Sequence, residues 1–217
     1  MKENNKKDIY NATKVQFHWL YHLETVPLTR FTLASTYRTF TTARSEVVWH
    51  RLVWFSKAKT TFILWLAIKN RLGTQDRLHT TLSDPKCLLC NTQIETHRHL
   101  FFDCNISQHI WTIVLRKCHS AFQSMNWEDY IAWLSGQWKG NSLMVTIRKL
   151  CLASTVYTIW VERNSRYHNN NFRGTNSIIA TILELVRLKL STLSKVKDNA
   201  FNQSIQQDWG IPPSIFT

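Results

Sequence analysis

The sequence has few of the features that serve catalysis or export. It contains five glycines, and no two of them are spaced as in the GxxxxGK or GxGxxG loops that cradle nucleotide phosphates. Its five cysteines are an odd number and no apolar stretch opens the chain, which argues against a secreted disulfide framework. The longest apolar run, Phe62 to Ile68, is far shorter than the ~20 residues of a membrane span. We therefore expect an intracellular protein, nuclear or cytoplasmic, with no signal peptide, no transmembrane segment, no membrane partner and no small-molecule substrate.

Acidic residues are also scarce. The 217 residues include 27 Lys and Arg but only 14 Asp and Glu, which gives a formal charge of +13. Such an excess attracts polyanions through long-range attraction and counterion release, so RNA or DNA is the first partner to expect. The same charge can simply solvate helix faces, and charge alone does not separate the two interpretations.

Hydrophobic periodicity predicts a mainly α protein with at most one short strand or hairpin, placed over Thr29 to Leu33. The segment Thr60 to Asn70 is apolar nearly all round and is the expected central helix. Two later amphipathic segments, from Leu143 to Val161 and from Ile178 to Leu190, predict a long helical hairpin. The expected parts are a polar, partly disordered lead-in (1–28), a small helical domain (29–120), a helical C-terminal region (121–200) and a loose tail (201–217).

One stretch has the spacing of a metal site. Cys87, Cys90, His99 and Cys104 follow a C-x2-C-x8-H-x4-C pattern. Two cysteines separated by two residues can direct both sulfurs at one point from a tight turn, and a later His and Cys complete the tetrahedron that zinc prefers. Since all four positions are taken by protein, no activated water can bind, and the predicted Zn²⁺ is structural.

Spacing alone does not decide which histidine is the fourth ligand, because His97 and His99 lie within one turn of each other. We favour His99, because His-x4-Cys is a recurrent zinc-knuckle spacing. Thr96 is expected to cap a short helix whose first turn carries His99, with Cys104 just past its end. The alternative, that the cysteines are merely small buried hydrophobes without metal, stays open.

Several motifs resemble one family. The run WLAIKNRLGTQDRL at 65–78, the Cys-x2-Cys pair and ETHRHLFFDC at 95–104 are similar to the reverse transcriptase zinc-binding domain. That domain lies after the polymerase in plant LINE-type, non-LTR retrotransposon proteins. The resemblance runs from about Phe31 to Trp111, and IWVERN at 159–164 is similar to a segment that often follows in these elements.

The resemblance implies a zinc-binding module from the C-terminal portion of such an element, with the polymerase portion as its partner in full-length relatives. Polymerase relatives use a paired-aspartate turn to hold magnesium, and this chain has no Asp-Asp pair or spread of ribonuclease H carboxylates. We therefore expect a non-enzyme that binds nucleic acid. The alternative is a structural or interaction module, or a non-functional retroelement remnant, with no nucleic-acid role.

The candidate phosphate contacts are basic residues on either side of the cysteine stretch. They are Arg51, Lys57, Lys59, Lys69, Arg71, Arg77 and Arg98. Trp54 and Trp138 are candidates for stacking on unpaired bases, although a tryptophan in a helical protein more often belongs to the core.

Overall fold

A computed structural model describes residues 47, 49–53, 59–78, 85–121 and 125–216. All of these belong to one compact unit, Val47–Thr217. The predicted lead-in over 1–28 and the predicted strand over 29–33 lie outside the described residues. Lys57, Trp54 and the side chain of Lys59 also lie outside them.

The described part of the chain is helical, which confirms the predicted mainly α class. The helices are α1 (His50–Val53), α2 (Lys59–Ile68), α3 (Gln75–Leu78), a π-helical turn (His99–Asp103), α4 (Asn105–Lys117), α5 (Trp127–Gln137), α6 (Leu143–Asn169), α7 (Thr175–Leu190), α8 (Ala200–Trp209) and a 3-10 turn (Pro213–Phe216). Among these residues, β pairing is limited to one isolated antiparallel bridge between Lys86 and Ile94.

Helix α6 is the centre of the core. It packs against α2, α4 and α7, and the predicted hairpin is formed by α6 and α7. Helix α4, which contributes Trp111 and Val114, packs against both arms of that hairpin. The hydrophobic core therefore runs without interruption across residue 120, where the sequence had suggested that one region ends and the next begins.

The composition of α6 would by itself allow a membrane span. Its 27 residues include an 18-residue window with a mean hydropathy of 1.2, and 72% of that window is buried inside the protein. Because the neighbouring helices cover this surface, the packing of the core accounts for the apolar character of α6.

The prediction of a loose tail after residue 200 is wrong. Asn199 caps α8 by accepting a 2.8 Å hydrogen bond from the Asn202 amide, and Gly210 ends the helix at a φ of 58°. The buried side chains of this segment are Ile205, Trp209, Ile211 and Ile215. The polar composition of the segment masks these apolar residues in the sequence. Ile205 and Trp209 share one face of α8, and Ile211 and Ile215 continue the buried surface after the helix ends.

Candidate metal centre

The first two cysteines lie in a tight turn. The Asn91 amide donates to the Cys87 carbonyl at 2.8 Å, and the Cys87 amide donates to the Gln93 carbonyl at 2.7 Å. Asn91 adopts the left-handed conformation, with a φ of 56°, which asparagine tolerates better than most residues. The turn places Cys87 and Cys90 side by side, as the C-x2-C spacing predicted.

Of the other two ligand candidates, His99 is the first residue of the π-helical turn and Cys104 follows its last residue. The Thr96 hydroxyl accepts a 3.0 Å hydrogen bond from the His99 amide, so the predicted cap is confirmed. The Cys104 amide donates to the His99 carbonyl at 2.8 Å, a wider closure than that of an α-helix. Cys104 then stands at the N-cap of α4, while the intervening Leu100, Phe101 and Phe102 are buried.

The four ligand atoms converge. The sulfurs of Cys87, Cys90 and Cys104 and a ring nitrogen of His99 all lie within 4.8 Å of one another. Cys90 Sγ is 3.2 Å from His99 Nε2. Zn–S bonds of about 2.3 Å in a tetrahedron place two thiolates about 3.8 Å apart, so a set of this size and chemistry fits zinc.

The environment favours a thiolate in this cluster. The pKa of Cys104 is lowered to about 5, first by a hydrogen bond from the Cys87 thiol and then by the Ser107 and Ile106 amides at the start of α4. The same hydrogen bond, together with burial, raises the pKa of Cys87. Cys104 is therefore the sulfur of this pair that these hydrogen bonds favour in its charged form.

His97 lies apart from the cluster. Its ring centre is 5.0 Å from that of Phe101 and 5.4 Å from that of Trp127. Burial, with a smaller contribution from Arg77, lowers its pKa to about 4, so the ring is neutral at physiological pH. Of the two histidines that spacing left open, the structure brings His99 to the cysteines and packs His97 into the aromatic core.

This difference gives a direct test of the fourth ligand. His99→Phe is expected to lower the bound metal to well below one ion per chain, because it removes one of four donors. His97→Phe is expected to retain one ion, since an aromatic ring can occupy the same space between Phe101 and Trp127. Metal content of the purified proteins, measured by elemental analysis, separates the two. The reverse pattern would make His97 the ligand.

The comparison with known families agrees with this geometry. Residues 31–111 match the family described as zinc-binding in reverse transcriptase. The match, called here the zinc-binding segment, includes all four residues of the cluster and ends within α4. No curated protein and no solved structure matches the chain.

A buried ion pair joins the zinc-binding segment to the hairpin beyond it. Glu95 is fully buried, and both the Nε and an Nη atom of Arg163 on α6 lie 2.9 Å from its Oε1. The Glu95 carboxylate also accepts hydrogen bonds from the amides of Gln75 at 3.0 Å and Leu88 at 3.2 Å. Glu95 thus links α3, the cysteine turn and α6 through one side chain.

A second charged group extends this link. Arg166 donates to the carbonyls of Leu88 and Leu89, the two residues between Cys87 and Cys90, at 3.0 and 2.9 Å. Glu162 holds Arg166 and Arg173 at 2.9 and 2.7 Å. Burial alone would raise the pKa of Glu162, but the Arg173 amide and the two guanidinium groups outweigh it and lower the pKa. We call Glu95, Glu162, Arg163, Arg166 and Arg173 the clamp.

Sequence reasoning missed the clamp. Glu162 and Arg163 belong to the segment 159–164, whose resemblance to a family segment predicts no role for either residue. The signal was present, because two adjacent charged residues interrupt a helix that is otherwise buried on several sides. Charged groups are almost never fully buried unless they are paired, so such an interruption predicts a partner.

The predicted phosphate contacts fall in different surroundings. Arg77 and Arg98 line one cavity of about 280 Å³, together with Asn70. Arg77 donates to the Asn70 carbonyl, and Arg98 forms a 2.9 Å ion pair with Asp103. Lys69 and Arg71 are exposed on either side of Asn70, so the structure brings these four cations to one region.

The remaining candidates are separate from that region or outside the described residues. Arg51 is exposed on α1 and lines a different cavity. Trp138 is only 2% exposed and belongs to the core, so it is not available for base stacking.

Proposed function

We propose that this chain is a non-catalytic nucleic-acid-binding module, without polymerase residues of its own, whose fold is held by one structural zinc ion. The main observation in support is that the ligand atoms of four residues in the zinc-binding segment converge on one point. These residues are Cys87, Cys90, His99 and Cys104. Three thiolates and an imidazole leave no position for a reactive water, so the ion would serve folding.

The distribution of charge supports the nucleic-acid part of the proposal. Glu95 and Glu162, two of the few acidic residues, are buried in the clamp and contribute nothing to the surface. Within the described parts of the chain, the exposed Arg71 and Arg116 take part in no ion pair. Cations without acidic partners remain available to phosphates, with a gain from released counterions.

An exposed aromatic ring lies on the helix that ends just before another candidate cation, Lys69. Phe62 on α2 is 56% exposed, and its ring centre is 5.8 Å from that of Trp65. Lys69 follows directly after α2, seven residues beyond Phe62 and hence on the same side of the helix. We call Phe62, Lys69, Arg71 and Arg77 the α2 surface. Aromatic faces with nearby cations are the groups that single-strand binders use for bases and backbone.

The test neutralises the cations of the α2 surface. The triple variant Lys69→Gln, Arg71→Gln, Arg77→Gln is expected to bind single-stranded RNA or DNA at least about 10-fold more weakly at low salt. Its plot of log affinity against log salt should be flatter by about 2, since each lost phosphate contact removes about 0.7 from the slope. Fluorescence anisotropy with labelled oligonucleotides at several KCl concentrations measures both.

The matched control makes the same change in net charge elsewhere. Lys189→Gln, Lys195→Gln, Lys197→Gln removes three lysines that lie after the zinc-binding segment, and it is expected to leave the slope within about 1 of the original. If both triples weaken binding equally, the assignment to the α2 surface is wrong. If the zinc-loaded original protein shows no salt-dependent binding, the nucleic-acid proposal fails and a purely structural or interaction role remains.

A further inference from the structure

A second cavity lies beside the start of α6, apart from both the metal centre and the cavity at Arg77. Its volume is about 690 Å³. Its wall includes Arg51 from α1, Asn141 from the turn before α6, and Thr146 and Lys149 from the first two turns of α6. A space of this size is in the range of ligand sites in proteins and exceeds the volume of one small anion several-fold.

Lys149 is the unusual residue of this cavity. It is only 6% exposed, and among the described residues no acidic group or hydrogen-bond acceptor contacts its ammonium group. Arg51, which lines the same cavity, is also a cation, and burial followed by repulsion from Arg51 lowers the pKa of Lys149. Burying an ammonium group beside a like charge is unfavourable, so a buried lysine in this position is unexplained by the packing alone.

An anion in the cavity would offset both unfavourable effects, the burial of the ammonium group and its repulsion from Arg51. It would supply the missing partner of Lys149 and would offset the repulsion between the two cations. A free phosphate offers four oxygens and up to two charges, and a backbone phosphodiester offers two free oxygens and one charge. Either group can accept hydrogen bonds from Lys149 and Arg51 together.

We propose that this cavity binds a phosphate group through Lys149 and Arg51. The group has two possible sources, a free phosphate or the backbone of a polynucleotide, and the second source rests on the proposed nucleic-acid function. Arg51 is exposed at the rim, whereas Lys149 is buried in the wall, so an entering phosphate would meet Arg51 first and Lys149 deeper in the cavity.

The experiment uses the zinc-loaded full chain and two probes, inorganic phosphate and a labelled single-stranded oligonucleotide. Lys149→Met keeps the length and apolar stem of the side chain and removes the charge. It is expected to weaken phosphate binding in calorimetric titration by about 10-fold or more, as expected for losing a charge-assisted hydrogen bond. With the oligonucleotide, it should flatten the salt slope by about 0.7.

Two further variants serve as controls, and a third tests the same site in case Lys149→Met does not fold. Lys149→Arg retains the charge and should keep phosphate affinity within about 3-fold of the original. Lys197→Met removes an exposed lysine that does not line the cavity, and it should change neither readout. Arg51→Gln alters an exposed side chain, so it tests the same site if Lys149→Met fails to fold.

The outcomes separate the two proposals. If the original protein binds oligonucleotide but neither Lys149→Met nor Arg51→Gln changes phosphate affinity or the salt slope, the phosphate site is overturned and the nucleic-acid function stands. If phosphate binding is lost in these variants while no oligonucleotide binds the original protein, the cavity is a site for free phosphate and the nucleic-acid proposal fails. Absence of phosphate binding to the original protein, with an unchanged slope in the variants, overturns the inference.

Discussion

Cys104→Ser is expected to abolish stoichiometric metal binding and, with it, the cooperative unfolding transition. Cys104 is one of the four candidate donors, so its replacement opens the site. As the N-cap of α4 its side chain makes no capping hydrogen bond, so the expected loss comes from the metal rather than from the cap. Structural zinc sites of this kind contribute about 10–16 kcal/mol at neutral pH, as much as the whole net stability of a domain. Elemental analysis and thermal melting followed by circular dichroism measure the two losses.

Cys118→Ser is the matched control for this change. Cys118 is equally buried, but it lies at the other end of α4 and outside the metal cluster. Its sulfur donates to the Leu115 carbonyl at 3.3 Å, a bond that a serine hydroxyl can replace. We expect this variant to retain one metal ion per chain and a cooperative melt. A Cys104→Ser protein that binds a full equivalent of zinc, or an original protein whose helicity survives chelation unchanged, would contradict the structural role of the ion.

Arg163→Ala is expected to destabilise the protein by about 3–5 kcal/mol, since it leaves the buried Glu95 carboxylate without its cation. Arg163 is also among the largest fully buried side chains, so its truncation opens a cavity beside Trp160 and Tyr167, whose rings lie about 5 Å from the guanidinium. The loss should appear as a lower midpoint in urea unfolding of the zinc-loaded protein.

Arg187→Ala provides the control, because it breaks an exposed ion pair with Glu184 on α7. Its unfolding midpoint should stay close to that of the original protein. The double variant Glu95→Gln, Arg163→Met should be less destabilised than the sum of its single changes, since no uncompensated charge stays buried. If Arg163→Ala unfolds no more easily than Arg187→Ala, the clamp does not hold the zinc-binding segment to α6.

Much of the metal centre could be predicted because its geometry is local. Cys87 and Cys90 are brought together by a turn of four residues, and the Thr96 cap starts the short helical turn that separates His99 from Cys104. Spacing along the chain therefore fixed three ligands. It left His97 and His99 open, because both lie within one turn. Only the folded structure places His97 against Trp127 of α5 and His99 against Cys90.

The amphipathic helices were also predictable, since apolar residues recur with helical period in α4, α6 and α7. Period alone did not reveal which helices share a core. The segment after residue 200 shows the limit most clearly, because its apolar residues are few and contacts with a helix distant in sequence help to hold it in place. Lys117 of α4 donates to the Asp208 carbonyl at 2.8 Å and lies 5.8 Å from the centre of the Trp209 ring.

The sequence by itself determined the helical class, the cysteines of the candidate metal cluster and the excess of positive charge, since each depends on composition or on residues a few positions apart. Tertiary structure alone decided that Glu95 meets Arg163, 68 positions away, that the cysteine turn is held by Arg166, and that Lys149 faces a cavity beside Arg51. Burial is the physical reason, because an ion pair or a lone ammonium acquires its importance only when the folded chain removes it from water.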